Sequence, residues 1–357
     1  MNLINDITLT YLMPLPTIEL NNHLVGDKHM SSRSVRTRLG GISFSLALGL
    51  GVLGAAAPAQ ADGFPERAVT LVVPTPAGGP LDFFARLLSP ELGKRWSVPV
   101  VVENKPGAGT ALGTQAVARA KPDGYQFLIA NIAISAHGAL NRTPLFDVER
   151  ELQPLTLIAS TPYFLIASQK GPTTLDAFVA QAKAKPGELN LGIIANSQQH
   201  LDTVRMTSTL GIKATLVPYT GTAPIIRALL GGELHGFLGT LAGMEQHFAA
   251  KKLFPLAMTG SKPWPSQPSV PTFQSKGYSL ELNPWYAAFA PAGLPPQVMG
   301  KLREDLLAVM KTAEFQSRVR DGGYEPRTST DTELARMVSE NLRLSREIVK
   351  VNNIKPE

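Results

Sequence analysis

The 357-residue chain has no cysteine, which excludes disulfides, thiolate metal sites, cysteine nucleophiles and lipidation of an N-terminal cysteine. Charged residues are scarce at 17%, against a usual share of about a quarter. Apolar residues, at 44%, are close to average, so the composition is that of a globular protein rather than a disordered one. No Lys/Arg run and no basic helical stripe with interleaved aromatics occurs, so the net charge of +6 is too diffuse for nucleic acid and suits a small anion. The common enzyme templates are also missing: there is no G-x-S-x-G elbow and no H-E-x-x-H pair. No residue grouping calls for a metal or a cofactor. The chain is long enough for two domains, each with a sizeable core.

The first sixty residues are not expected to belong to the fold. Ser31 to Arg38 carries Arg33, Arg36 and Arg38 with no acid, an apolar run follows from Ile42 to Ala57, and Ala59-Gln60-Ala61 comes next. A basic segment, an apolar segment too short to span a bilayer and an A-x-A site, in that order, make a secretory signal peptide. Translation is expected to start at Met30, cleavage to follow Ala61, and the mature protein to be periplasmic. The alternative, an uncleaved membrane anchor, fits poorly with an apolar run interrupted by Gly, Ser and Ala.

Gly and Pro, 31 and 29 residues, punctuate alternating strand-like and helix-like segments. Strands are expected at Ala68–Val73, Val98–Glu103, Tyr125–Ala130, Leu155–Ala167, Leu189–Ile194, Ala214–Pro218, Leu234–Gly239, Leu253–Thr259 and Trp285–Ala290. Between the first two, Phe84, Leu87, Leu88, Leu92 and Trp96 fall on one face of a helix from Pro80 to Trp96, which Pro90 should kink or split. Long helices are expected at Pro295–Lys311 and Thr330–Lys350, the second opened by a Thr330-x-x-Glu333 capping box. Such alternation predicts an α/β fold with mainly parallel sheets covered by helices on both faces.

Ligands of open parallel sheets sit beyond the carboxyl ends of the strands. The first strand ends in Thr75-Pro76-Ala77-Gly78-Gly79, and a helix starts at Pro80 with Asp82 close behind. Paired glycines let bare backbone approach a ligand, and the first-turn N–H groups with the positive end of the helix dipole suit an anion. The bland reading is an ordinary strand-to-helix turn in which Asp82 satisfies the dipole. A second loop, Gly107-x-Gly109-x-x-x-Gly113, is a weak dinucleotide fingerprint: it follows the second strand rather than the first, and its spacing departs from the common form by one residue. His137 and His200 are candidate site residues or ordinary structural histidines.

Several stretches together resemble the extracytoplasmic solute-binding proteins of the tripartite tricarboxylate transporter family, the Bug-type receptors. They are Phe64 to Pro74, Ala77-Gly78-Gly79-Pro80-Leu81-Asp82-Phe83-Phe84-Ala85-Arg86, Val100-Val101-Val102-Glu103-Asn104-Lys105-Pro106-Gly107-Ala108-Gly109, Lys121-Pro122-Asp123-Gly124-Tyr125, Ala184-Lys185-Pro186-Gly187, Val217 to Pro224, Leu229 to Leu234, Pro271-Thr272-Phe273 and Ala290 to Pro295. They fall in the family's order over essentially the whole mature chain.

The resemblance implies a non-enzymatic, two-lobed periplasmic-binding-protein-like clamshell with two interlobe crossovers. Lobe one would comprise 62–164 plus 285–357, and lobe two 165–284. A small organic carboxylate would bind in the cleft through backbone amides and ordered water, and membrane permease subunits would receive it; a monomer is the default. Ligand contacts would come from Thr75, Pro76, Ala77, Gly78, Gly79, Asp82 and Phe83, with Ile132 and Ser135, in lobe one. In lobe two they would come from Ile194, Asn196, Ser197, His200, Tyr219, Thr220, Gly221, Thr222, Ala223 and Leu241. Family members usually carry a small polar loop where this chain has Asn131 to Ser135, a Gly/Ser/Thr-rich loop where it has Gly192 to His200, and an acidic-amide turn where it has Gly239 to Met244. Ile132, Ile134, Ile194, Leu241 and Phe83 could then wall the cleft and favour a carboxylate with an apolar or aromatic body, or else pack inside the lobes. The remaining alternatives are an exported enzyme using His137 or His200 with Asp202 or Asp82, and a receptor that feeds a sensor kinase.

Overall fold

The first crossover shows how the chain divides. The apolar run 155–167, expected as one strand, is two strands separated by Thr161-Pro162-Tyr163. Pro162 has no N–H to continue a ladder, and Phe164 pairs with Gly239 and Met258 of a second sheet. That sheet therefore starts one residue before position 165.

In the computed structural model, which describes residues 63–241, 244–282 and 284–356, the first lobe opens with β1 (Val69–Val73), α1 (Pro80–Trp96), β2 (Val100–Asn104), a 3₁₀ turn, α2 (Ala111–Ala118), β3 (Gln126–Asn131), α3 (Ala133–Leu140) and β4 (Leu152–Ser160). The second lobe carries β5 (Phe164–Ser168), α4 (Leu175–Ala184), β6 (Asn190–Ile194), α5 (Gln198–Leu210), β7 (Thr215–Tyr219), α6 (Thr222–Gly231), β8 (Gly236–Gly239), α7 (Glu245–Ala249) and β9 (Leu253–Met258). The chain then returns to lobe one as β10 (Trp285–Pro291), α8 (Pro296–Met310), α9 (Ala313–Asp321), β11 (Glu325–Pro326) and α10 (Asp331–Val351). The expected signal peptide and its cleavage site lie outside the described residues. Among the described residues, no helix is long and apolar enough to cross a membrane.

Lobe one is a six-stranded sheet in the order β11-β4-β10-β3-β1-β2, and lobe two a five-stranded sheet in the order β7-β6-β8-β5-β9. In each, four strands run in one direction, as expected, but both sheets are mixed: β10 runs antiparallel to β3 and β4, and β5 runs antiparallel to β8 and β9. The cause is connectivity. A strand fed by a helical crossover comes out parallel to its predecessor. β5 and β10 instead enter from the other lobe, at the end where the parallel strands finish, so they must run the opposite way.

Each sheet is sandwiched. On one face of sheet one, Phe84, Leu88 and Leu92 of α1 pack with Leu302 and Leu306 of α8 and with Phe315 and Val319 of α9. On the other, Ala111, Ile134 and Leu334 bring α2, α3 and α10 against Trp285 and Phe289. The face predicted for α1 is the buried one, and the helix runs through Pro90 unbroken, so the expected split does not occur. Thr330 caps α10 through the predicted box: its hydroxyl accepts from Glu333 N–H at 3.1 Å, and its own N–H donates to Glu333 Oε2 at 2.8 Å. The two crossovers are tied together where they pass. Thr161 N–H donates to Pro284 O (3.1 Å), Thr259 N–H to Tyr163 O (2.8 Å), and Tyr163 N–H to Thr259 Oγ1 (2.9 Å).

Candidate functional site

The carboxyl ends of β1, β3, β6, β7 and β8 carry the loops singled out from the sequence, and both crossovers run at the same end. Register fixes their neighbourhood. Val73 of β1 pairs with Asn104, Asn131 at the end of β3 pairs with Tyr286 of β10, and Ile194 of β6 pairs with Tyr219 of β7.

The β1–α1 turn is exposed at Pro76, Ala77 and Gly78. Gly78 adopts φ +86°, which only glycine takes at little cost. Gly79, the helix N-cap, sits at φ −88°, and a Cβ there would meet only Pro76 O at 3.8 Å. The turn is held from inside by Asp82, which is 3% exposed. Its Oδ2 accepts from Gly78 N–H (2.9 Å) and Arg86 Nε (2.8 Å), and its Oδ1 accepts from Asn104 Nδ2 (3.0 Å). The hydrogen bond from Arg86, with those from Gly78 and Asn104, outweighs burial and holds the Asp82 carboxyl down at about 2. Asp82 therefore faces its own loop, and the Gly78 N–H expected to bind a ligand is engaged inside the protein. Phe83 N–H bonds Gly79 O at 2.9 Å, so the first-turn donors without an intrahelical acceptor are those of Leu81 and Asp82.

In lobe two the turn before α5 is held by the helix's own side chains. Ser197 caps α5, accepting from His200 N–H at 3.3 Å and donating to Ile194 O at 2.7 Å. Its hydroxyl is therefore used by the loop rather than presented to a ligand. Gln199 spans the loop and sheet: Oε1 accepts from Ile194 N–H (2.8 Å), and Nε2 donates to Leu238 O (2.9 Å). Ala195 N–H reaches Tyr219 O at 3.4 Å, joining the two lobe-two loops. Ala195, Asn196, Thr220 and Ala223 are exposed, and Gly221 and Thr222 partly so. Asn196 takes the left-handed φ of +48°.

The lobes meet where Ala136 and Leu140 of α3 pack on Leu201 and Val204 of α5 and on Ile348 of α10. Ser135 and His200 each precede a residue of that contact. Two recesses have walls from both lobes. One of about 230 Å3 has Ile132 and Trp285 from lobe one and Asp202 and Arg205 from lobe two on its walls. One of about 80 Å3 is bordered by Thr240 and Leu241 of lobe two and by Gly322 and Tyr324 of lobe one. Another recess, of about 290 Å3, lies at the opposite end of sheet one, against Arg67, Lys121, Asp123 and Tyr125. Arg67 there is satisfied by Asp123 at 3.1 Å, and the recess borders no unpartnered buried side-chain atom among the described residues, so its volume does not make it the ligand site.

Four buried side-chain polar atoms have no hydrogen-bond partner among the described residues: Thr75 Oγ1, Ser135 Oγ, His200 Nδ1 and Trp285 Nε1. All four lie at the crossover ends of the two lobes, and the first three belong to residues that the sequence marks as ligand contacts. Trp285 reads in sequence only as a strand start. Its indole nitrogen gives no sequence signal, because its burial depends on the tertiary cluster it shares with Ile132 and with Leu334 and Val338 of α10.

The apolar-wall reading is corrected. Ile134 is fully buried in the lobe-one core, Ile194 packs against the lobe-two core, and Phe83 stacks on Tyr324 with ring centres 6.0 Å apart. Ile132 and Leu241 are also core residues that show only an edge to the recesses. Burial of these side chains against their own lobes accounts for their apolar character. His137 is structural: Nε2 accepts from Leu145 N–H (3.1 Å), Nδ1 lies 2.9 Å from Asn141 Nδ2, and the ring stacks on Phe146 at 4.7 Å. Burial lowers the pKa of both His137 and His200. The Gly107 loop is no nucleotide cradle either. A Cβ at Gly113 would come within 2.6 Å of Lys105 O and 2.8 Å of Pro74 Cα, so that glycine serves the close packing of α2 against the β1 and β2 loops.

Comparison with known proteins agrees with this architecture. The chain is 30% identical over 295 residues to protein BugT of Bordetella pertussis, covering 81% of this chain and 90% of that one. A solved Rhodopseudomonas palustris protein with adipate matches at 30% identity and a TM-score of 0.72, over 82% of this chain and all of that one. A second R. palustris protein with bound malate matches at 27% identity and a TM-score of 0.68, over 80% of this chain and all of that one. Residues 84–354 match the model of the tripartite tricarboxylate transporter family receptor, and the chain belongs to that family of periplasmic solute-binding receptors.

Proposed function

We propose that this protein is a periplasmic receptor that closes its two lobes around a small organic carboxylate and delivers it to membrane permease subunits, acting as a monomer and without catalysing a reaction. The observation that carries the reading is the set of unpartnered buried polar atoms, Thr75 Oγ1 and Ser135 Oγ from lobe one and His200 Nδ1 from lobe two. Buried polar groups are normally paired, and leaving one unpaired costs on the order of 1–3 kcal/mol. Three such atoms at the crossover ends of the two lobes, with Thr75 in the turn that leads into the positive end of α1, support an acceptor-rich anion that bonds to both lobes. The adipate and malate of the solved relatives are anions of that kind.

The test is thermal unfolding of the mature protein with adipate, malate, citrate and benzoate. A ligand that binds only the folded form stabilises it by about 2.7 kcal/mol at a hundred times its Kd. A saturable rise in Tm with at least one carboxylate is expected. No rise with any of them, in a protein that is folded and monodisperse, would contradict the reading.

A further inference from the structure

Two of the sequence stretches that mark this family, one around Asp82 and one around Asn104, meet in a single hydrogen-bonded unit beneath the candidate anion turn. Asn104 is the last residue of β2, paired with Val73. Its Nδ2 has two hydrogens and two acceptors at bonding distance: Thr75 O at 3.1 Å, at the start of the turn, and Asp82 Oδ1 at 3.0 Å. The other Asp82 oxygen takes Gly78 N–H at 2.9 Å, near the end of the turn. The segment between these two ties is exposed at Pro76, Ala77 and Gly78 and has no buried side chains of its own. An exposed segment of that kind is ordinarily among the first parts of a protein to open locally.

Resting on the carboxylate-receptor reading, we propose that Asp82 and Asn104 are positioning residues. They lock the Thr75–Gly79 turn in the shape that sets Thr75 Oγ1 and the first-turn N–H groups of α1 toward the cleft, and neither needs to touch the ligand. The charge on Asp82 suits this task. It is ringed by the Gly78, Asn104 and Arg86 donors, so its field is neutralised locally, and a carboxylate bound in the cleft meets the donors of the turn rather than a like charge. Asn104 lies 22 residues from Asp82 and 29 from Thr75, which makes two chain-distant motifs one mechanical part.

The experiment compares Asn104→Ala, Asp82→Asn and, as a stability control, Asp305→Asn. Asp305 is fully buried far from the cleft, where Arg95, Lys301 and Trp96 donate to it. Hydrogen exchange by mass spectrometry on the peptide spanning 74–83 reads the turn directly, whether or not a ligand has been found. Exchange there should speed up at least tenfold in Asn104→Ala and in Asp82→Asn, with β10 and α8 unchanged, while Asp305→Asn leaves the turn as in the wild type. Titration with adipate and malate is the second readout. A probe that binds the wild type should bind Asn104→Ala at least tenfold more weakly, and Asp305→Asn within about twofold even when its loss of Tm is the same. Wild-type exchange in Asn104→Ala, or unaltered affinity at matched Tm, overturns the positioning role. Wild-type protein that binds neither probe counts against the receptor reading and leaves the exchange result to decide the positioning role.

Discussion

Asp82 and Asp202 are both buried, 3% and 1% exposed, and both sit near the crossover end of their lobes, yet they are driven in opposite directions. The Asp82 carboxylate has a guanidinium, an amide side chain and a backbone N–H converging on it and stays ionised to about 2. Asp202, on α5, lies at the lobe interface; burial pushes it up to about 7, opposed by the Gln198 amide (2.9 Å) and by Arg205. Gln198 is in turn 3.4 Å from Ser345 Oγ of α10, across the lobe boundary. Depth of burial and the donors within reach decide the two states together: Asp202 lies deep between the lobes, where desolvation outweighs the Gln198 and Tyr163 hydrogen bonds and Arg205, whereas Asp82 lies just beneath an exposed loop, where its donors outweigh a smaller desolvation.

The largest effect expected from that contrast is a pH slope. The native state holds a proton on Asp202 between about 4 and 7 that the unfolded chain has released, so stability should fall as pH rises through that window, by up to about 1.4 kcal/mol per pH unit from this group. Asp202→Asn should flatten the slope and be the more stable protein at pH 8. Denaturant titrations at pH 5, 6, 7 and 8 check it, and a wild-type slope retained in the variant breaks the comparison.

Asp82 should act with the opposite sign and in a lower range. Its pKa is depressed from 3.8, so its contribution is complete above about 4 and is lost as pH falls toward 2. The contribution is on the order of 1–2 kcal/mol once screening at exposed Arg86 is allowed for. Asp82→Asn should lose that amount at pH 7 and about a third of it at pH 2.5, where Asp82 is still mostly ionised in the folded protein, as measured by unfolding at the two pH values.

The smallest effect belongs to Arg86. Although it is 2.8 Å from Asp82, its side chain is 57% exposed, and exposed pairs are typically worth less than about 1 kcal/mol. Arg86→Ala should therefore lower stability by less than Asp82→Asn does, and carboxylate affinity by no more than about threefold. A larger loss would mean that the guanidinium, rather than the backbone and Asn104, holds the turn.

What could be read from the sequence was local. The buried face of α1, the Thr330 and Glu333 box and the glycine turn before Pro80 depend on residues within a few positions of one another, and each is present as predicted. The site depended on distance along the chain. Asp82 could be placed at the first turn of α1, but its partner Asn104 is reached only when β2 pairs with β1. The isoleucines at 132, 134 and 194 have the same composition whether they wall a cleft or fill a core, and only the packing of α3 and α10 on sheet one, and of Ile194 on the lobe-two core, separates the two. Likewise the antiparallel course of β5 and β10 follows from their entry through the crossovers, which strand-helix alternation does not encode.

The central claim is that a carboxylate is bound by bare backbone at the start of α1, and Gly79 tests it most directly. At φ −88°, with only Pro76 O in ordinary contact with an added Cβ at 3.8 Å, Gly79→Val should fold with a Tm close to that of the wild type, while its side chain stands in the path of the ligand. Calorimetric titration of both proteins with adipate and malate should give saturable, single-site binding in the wild type and at least tenfold weaker binding in Gly79→Val, the loss of one charge-assisted hydrogen bond. Equal affinity of the two proteins, or an absence of saturable binding in the wild type, would contradict the account.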